Sequence, residues 1–281
     1  MLERRPIWLN AWLYLIAGLL VAVAVGPALW LALTAVQPAG TDLLRSSGDG
    51  SGKTLSIGFT WDHIARAWTD GKLAGPMLNS VLVSFARAVL NVLVAALAAY
   101  PLARMSFAAR NVVFTLILAT MMVPEQVTIV PMFTTVVGLG MYDTLVALIV
   151  PLAVSAFGIF LCRQAMMAVP KELEEAASID GASPLAIWWH VMLPSIRPTL
   201  ATLFAFSLIG AWSELLWPLV VLQTKSGFTL PVAVNELVGQ FAASARVYYA
   251  AAVLALVPIL VAFMLLQRFL KGGMFDGAVK G

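Results

Sequence analysis

The chain has 281 residues, 61 % of them hydrophobic and 11 % charged, with a mean hydropathy of +0.93 and a formal net charge of +3. That is far more apolar surface than one soluble core of this size can bury, which excludes a soluble globular protein and places the chain in a bilayer. The positive balance lies in loops that face anionic headgroups and gives no nucleic-acid signal, and the single Cys162 excludes a disulfide framework or thiolate metal site.

Crossing roughly 30 Å of hydrocarbon takes about 20 apolar residues in a helix. Six stretches qualify: 13–36, 77–101, 112–133, 144–162, 199–222 and 248–266. The expected fold class is an all-α polytopic membrane protein with six transmembrane helices, since a barrel would need short alternating segments that the sequence lacks. An even number of spans puts both termini on one side. That side holds ten Lys and Arg (Arg4, Arg5, Arg104, Arg110, Arg163, Lys171, Arg197, Arg268, Lys271, Lys280) against six opposite (Arg45, Lys53, Arg66, Lys72, Lys225, Arg246). The bias favours cytoplasmic termini, and four of the six opposing charges sit in a long loop that translocates regardless of charge.

The first span, 24 residues long, exceeds a cleaved signal h-region and has no small-residue cleavage site in register. Trp8, Trp12 and Trp30 read as interfacial anchors. The extracytoplasmic loop 37–76 is rich in Gly, Ser, Asp and Thr. Its tip, "RSSGDGSGKTLS", imitates a phosphate-cradling loop, but Ser47 stands at the first glycine position before Gly52, Lys53 and Thr54, and no buried strand precedes it. Trp61, Ile64, Ala65 and Trp68 then follow at helical spacing and predict a short interfacial helix.

In the second span Arg87 and Asn91 lie one helical turn apart. The third contains "MMVPEQVTIVPMF", where Pro124 and Pro131 flank Glu125 and Gln126; the prolines predict either a hinge beside a cavity or a simple bend. In the fifth, Glu214 sits in "AWSELLWPL" between Trp212 and Trp217, and a carboxylate flanked by aromatics suits the hydroxyls and apolar ring faces of a sugar. Glu214, Trp212, Trp217, Arg87, Asn91 and Gln126 are the candidate substrate-path residues. The competing expectation is a structural Arg87–Glu214 pair that holds helices together.

Between the fourth and fifth spans lies a 36-residue polar segment, 163–198. After Pro170, "KELEEAASI" combines strong helix formers with acids in the first turns. Asp180-Gly181 ends that helix, glycine supplying the left-handed turn. Ser183-Pro184 reads as an N-cap followed by proline at the first helical position. Leu185, Trp188, Trp189, Met192 and Leu193 form one apolar stripe, which Pro194 is expected to stop. Two short helices meeting at a corner follow, either docking a partner or lying on headgroups as an amphipathic loop.

This segment resembles the EAA loop of binding-protein-dependent ABC importer permeases: Glu175-Ala176-Ala177, three residues, Gly181, nine residues to Val191 in place of the usual isoleucine, then Leu193-Pro194. From about residue 76 onward the chain is similar to the second permease of carbohydrate-uptake systems of the maltose or glycerol-phosphate type, through "MMVPEQVTIVP", "AWSELLWPL" and the terminal "GAVKG". Ser213 replaces a common asparagine, and "KGGMFDGAVKG" is altered before the tail. The resemblance implies a type I ABC importer permease fold in a bacterial inner membrane. It further implies a second permease subunit as heterodimer partner, two copies of a cytoplasmic ATP-binding subunit, an extracytoplasmic solute-binding protein and surrounding lipid.

In that family the loop docks on the ATPase, so Glu175, Ala176, Ala177, Asp180, Gly181, Ala182, Leu193 and Pro194 are the expected coupling residues. Neither a cofactor nor catalysis is expected, because the only histidines, His63 and His190, lack metal spacing and no Ser or Cys nucleophile has a base nearby. An ion-coupled secondary transporter or channel subunit is the alternative, with Glu125 or Glu214 as a proton relay. The individual solute stays open among sugars, polyols and glycerophosphodiesters.

Overall fold

A computed structural model describes residues 7–38, 58–240 and 245–275. The loop tip 45–56 and the tail 277–281 lie outside them. All regular structure among the described residues is helical: α1 (Ile7–Ala35), α2 (Asp62–Thr69), α3 (Ala74–Arg104), α4 (Arg110–Thr120), α5 (Glu125–Gly138), α6 (Val146–Ile149), α7 (Ala156–Ala168), α8 (Lys171–Ile179), α9 (Pro184–Ile187), α10 (Leu193–Ser195), α11 (Arg197–Ser213), α12 (Leu216–Val221), α13 (Leu230–Gln240) and α14 (Ala245–Phe275). Packing divides the chain into two units, one made of the chain up to Leu73 with Val234–Val257, the other of Ala74–Ala233 with the chain from Pro258 onward.

In the first unit α1 is apolar on every side and its side chains from Trp12 to Trp30 are solvent- or lipid-exposed. That is the signature of a membrane span, not of a core helix. The short helix predicted from Trp61, Ile64, Ala65 and Trp68 is α2, with both tryptophans exposed. Its buried His63 donates from Nε2 to Gln37 O at 3.0 Å, and Thr60 N donates to Val36 O at 2.8 Å, so backbone just after α1 is tied to the start of α2.

The second unit is built around α3. Its buried face reads Ser80, Ser84, Ala88, Asn91, Ala95, Ala99, Leu102, a run of four- and three-residue steps occupied almost wholly by small or polar side chains. Lipid tails are as apolar as leucine, so helices associate in the membrane by close backbone approach and interhelical hydrogen bonds, and small residues permit both. α7 and α11 pack on this face. At Gly158 of α7 an added Cβ would stand 3.1 Å from Ala95 Cβ and 2.8 Å from Ser155 Oγ, which explains the glycine. A second apolar cluster gathers Val83, Val136, Ala147, Leu148, Trp217 and Val221.

Three described helices are individually long and apolar enough to cross a membrane: Trp12–Ala35, Ala74–Arg104 and Ala245–Phe269. The predicted stretch 112–133 is divided between α4 and α5, which meet at 100°. Pro124 sits at that corner with extended backbone (ψ 134°), Pro131 lies inside α5, and Glu125 and Gln126 are exposed. The stretch 144–162 is divided between α6 and α7, and 199–222 breaks after Ser213.

Candidate functional site

The polar segment after α7 folds locally for reasons its residues supply. α8 ends in a complete Schellman motif: Ala182 N donates to Ala177 O and Gly181 N to Ser178 O, both at 3.0 Å. Gly181 is the residue in the left-handed region, at φ +82°, and an added Cβ there would meet nothing within 4 Å. Ser183 then caps α9, its Oγ accepting from Ala186 N at 3.4 Å, with Pro184 in the first turn.

Pro194 does not stop the second helix where expected. The chain passes from α9 through a π-helical turn, Trp188–Met192, into α10, and breaks only at Ile196 (φ −105°, ψ 17°). A proline ring collides with the carbonyl four residues back, here that of His190, and a widened turn relieves the collision. The expected stripe is split accordingly. Trp188 and Met192 are buried, whereas Leu185 and Trp189 are exposed. Trp188 also donates from Nε1 to Ala96 O at 3.1 Å, seating this arm on α3.

The corner itself points away from that seat. Ile179 is 86 % exposed, and Glu175, Ala176, Asp180 and Gly181 are exposed with it, while Ala177 and Ala182 turn partly inward against the α3–α7 cluster and Leu193 and Pro194 are half-buried. No residue of α8 is fully buried. Its charged tie to the bundle is Glu174, whose Oε1 lies 2.6 Å from Arg104 Nε at the end of α3, without the N–H alignment of a hydrogen bond. Arg104 Nη2 also donates to Val169 O, the cap of α7. In return, Arg163 of α7 is buried, donates from Nε to Leu102 O at 3.0 Å and lies 4.0 Å above the Phe114 ring. Each arginine thus satisfies a helix-end carbonyl of the other helix, where cations are favoured.

The candidate substrate-path residues fall into two groups. Asn91, Trp212 and Trp217 are buried. Asn91 Nδ2 donates to Ser207 Oγ at 2.7 Å and its Oδ1 accepts from Ser155 N (3.2 Å) and Ser155 Oγ (3.0 Å), joining α3, α11 and the cap of α7. Trp217 donates from Nε1 to Ala147 O at 2.9 Å inside the second cluster. Gln126 is exposed, and Arg87 and Glu214 are half-buried.

Arg87 and Glu214 form no ion pair. Arg87 Nε donates to Leu152 O at 3.2 Å. Glu214, extended at ψ 121° between α11 and α12, accepts on Oε1 from Leu216 N (3.1 Å) and Trp217 N (3.3 Å). The carboxylate therefore caps α12, where a negative charge meets the positive helix end and serves amides that would otherwise go unpaired in the membrane.

Asp143, which the sequence did not single out, clamps the far side of the bundle. It lies at φ +57° after the turn that follows α5, and its carboxylate accepts from Gln223 N (2.7 Å), Thr224 N (3.0 Å) and Thr224 Oγ1. Asn79 Nδ2 donates to Ser226 O and Phe228 O, and Ser80 Oγ accepts from Leu230 N, so the loop after α12 is also fastened to the start of α3. The Thr224 hydroxyl and then the two amides hold the Asp143 carboxyl below its usual range. A lowered folded value stabilises above the unfolded pKa of about 3.9 and is lost as pH falls through the folded one. The protection factors of the Gln223 and Thr224 amides, intrinsic over observed exchange rate, should therefore be flat from neutral pH to about pH 5 and fall only below about pH 4. Asp143→Gly, which tolerates the positive φ, should expose both amides at every pH.

A model of the family described as binding-protein-dependent transport system inner membrane component matches residues 75–276, and the chain belongs to that family. The arabinooligosaccharides transport system permease protein AraQ of Halalkalibacterium halodurans is 33 % identical over 285 residues, covering 100 % of both chains. The sn-glycerol-3-phosphate transport system permease protein UgpE of Yersinia pestis is 33 % identical across 77 % of this chain and 80 % of its own. The crystal structure of a bacterial ABC transporter involved in the import of the acidic polysaccharide alginate shares the fold, with a TM-score of 0.81 at 21 % identity over 95 % of this chain and 98 % of that one. The protein is thus a multi-pass inner-membrane permease subunit of a binding-protein-dependent importer, with the all-α ABC importer permease fold.

Proposed function

We propose that this chain forms half of the translocation path for a sugar or sugar-like solute. A second permease completes the path, an extracytoplasmic binding protein supplies the solute, and two copies of a cytoplasmic ATPase dock at the 175–194 loop. The observation that carries the docking role is the corner at Ile179–Gly181. Its backbone is internally satisfied by the Schellman motif and its outer face is presented bare, with an 86 % exposed isoleucine beside Asp180. An amphipathic loop lying on headgroups would turn its apolar side chains one way, yet here Trp188 and Met192 bury into the bundle and Ile179 faces out. A rigid element of this kind transmits a rigid-body displacement.

The proposed topology has six spans with both termini cytoplasmic, the second, fourth and fifth supplying the core. The sugar reading is supported by the relative named for arabinooligosaccharides, and the sugar-like one by the relative named for sn-glycerol-3-phosphate. Among the path candidates, Gln126, Arg87 and Glu214 keep exposed surface and are the ones able to meet a solute.

Tagged chain purified from its native membrane is expected to bring along a second permease and an ATPase, and vesicles holding that complex should take up solute only with internal ATP and the binding protein. Uptake by this chain alone under an ion gradient would instead establish a secondary transporter.

A further inference from the structure

We propose that Arg104 and Glu174 form the joint through which movement of α8 reaches the membrane helices, making both positioning residues for transport. This inference rests on the ATPase-docking role proposed above. α8 carries the exposed corner, yet it buries no side chain completely, and Leu173 and Ile179 are exposed. Ala177 and Ala182 at its end are half-buried and it packs on α9 and the π-helical turn, while its charged tie to α3 is Glu174, whose carboxylate stands 2.6 Å from Arg104 Nε. Both side chains are largely shielded, at 8 % and 17 % exposure, where a charge pair is weakly screened and a lone charge is costly.

Arg104 is the last residue of α3, the helix on whose small-residue face α7 and α11 pack. At 31 residues α3 is about 46 Å long. Its other end holds the loop after α12 through Asn79 and Ser80. Arg104 also grips Val169 O, and Arg163 grips Leu102 O, so α3 and α7 are locked together where α8 attaches. A displacement of α8 consequently acts on the paired ends of α3 and α7, and α3 carries it to the outer loop. Without the ion pair α8 keeps its own fold, because the turn that ends it is local, but moves without pulling on α3.

The test uses the assembled transporter carrying Glu174→Gln, Arg104→Gln or both, with ATP hydrolysed per solute imported as the readout. Each single variant should retain its ATPase through purification and raise that ratio at least about fivefold, the low end of measured coupling energies. The double variant should be no worse than the poorer single one, because both changes break one contact. A ratio unchanged in Glu174→Gln, or effects that multiply in the double variant, overturns the joint while leaving the docking role standing. A wild-type complex that contains no ATP-hydrolysing subunit overturns the docking role and the joint together.

Discussion

A Gly181→Val permease is expected to fold and enter the membrane but to import no solute. Gly181 stands at φ +82° as the left-handed residue of the Schellman motif that ends α8. An ordinary side chain in that region costs about 1–2 kcal/mol, and a β-branched one more. Nothing within this chain obstructs the added atoms. The penalty is therefore conformational: the turn must open, and the direction of the corner changes with it. Because the bundle core around α3 lies elsewhere, melting of the purified membrane domain should move little while ATP-driven uptake falls to the level of an ATPase-dead complex. Gly181→Asn separates geometry from bulk, since asparagine tolerates the left-handed region. Retained uptake in Gly181→Asn with loss in Gly181→Val assigns the effect to backbone geometry; normal uptake in Gly181→Val shows that the turn is not needed.

The largest loss of stability is expected from Asn91→Leu. Asn91 is 6 % exposed and makes three side-chain hydrogen bonds, to Ser207 Oγ and to Ser155 N and Oγ. Hydrogen bonds between membrane helices average about 0.6 kcal/mol each, so their removal costs about 2 kcal/mol. Leucine adds to this by leaving the Ser155 N–H unpaired. Thermal unfolding in detergent should register this as an earlier loss of helical signal, with Ser207→Ala producing a smaller shift. An Asn91→Leu variant as stable as the parent would contradict the role of this cluster in fastening α3, α7 and α11.

How legible these features are from sequence follows the range of the interactions that make them. The corner at residues 171–184 depends on neighbours within a turn or two: acids at the start of α8, Asp180-Gly181 at its end, Ser183-Pro184 opening the next helix. Each is a local signal with a local cause, and each is seen in the structure. The π-helical turn before Pro194 is also local, but a proline reads equally as a stop or as a strained continuation; in the structure the helix continues, and Trp188, bonded to Ala96 O, seats it on α3. Within the membrane the usual periodicity fails, because α1 and much of α11 are apolar all round and say nothing of which side meets protein.

Asn91, Glu214 and Trp217 stand out in the sequence as polar or aromatic residues at membrane depth, but the chain does not disclose their partners. Ser207 is 116 residues from Asn91, and Ala147 is 70 from Trp217. Glu214 is instructive in the opposite sense. Its partners, the amides of Leu216 and Trp217, are only two and three residues on, but a capping role presupposes a helix break that the largely apolar run from Ala211 to Leu219 conceals. Arg104 and Glu174 lie 70 residues apart, and Asp143 reaches across 80 to Gln223, so neither contact leaves a mark within its own segment.

If an ATP-hydrolysing subunit engages this permease at the corner of α8, a photo-reactive side chain placed at Ile179 in the intact membrane should capture it. The expected outcome is a cross-linked product containing the ATPase, with a yield that changes between ATP-loaded and nucleotide-free states. Cross-linking to lipid alone, or labelling of this position from outside the cell, would contradict it.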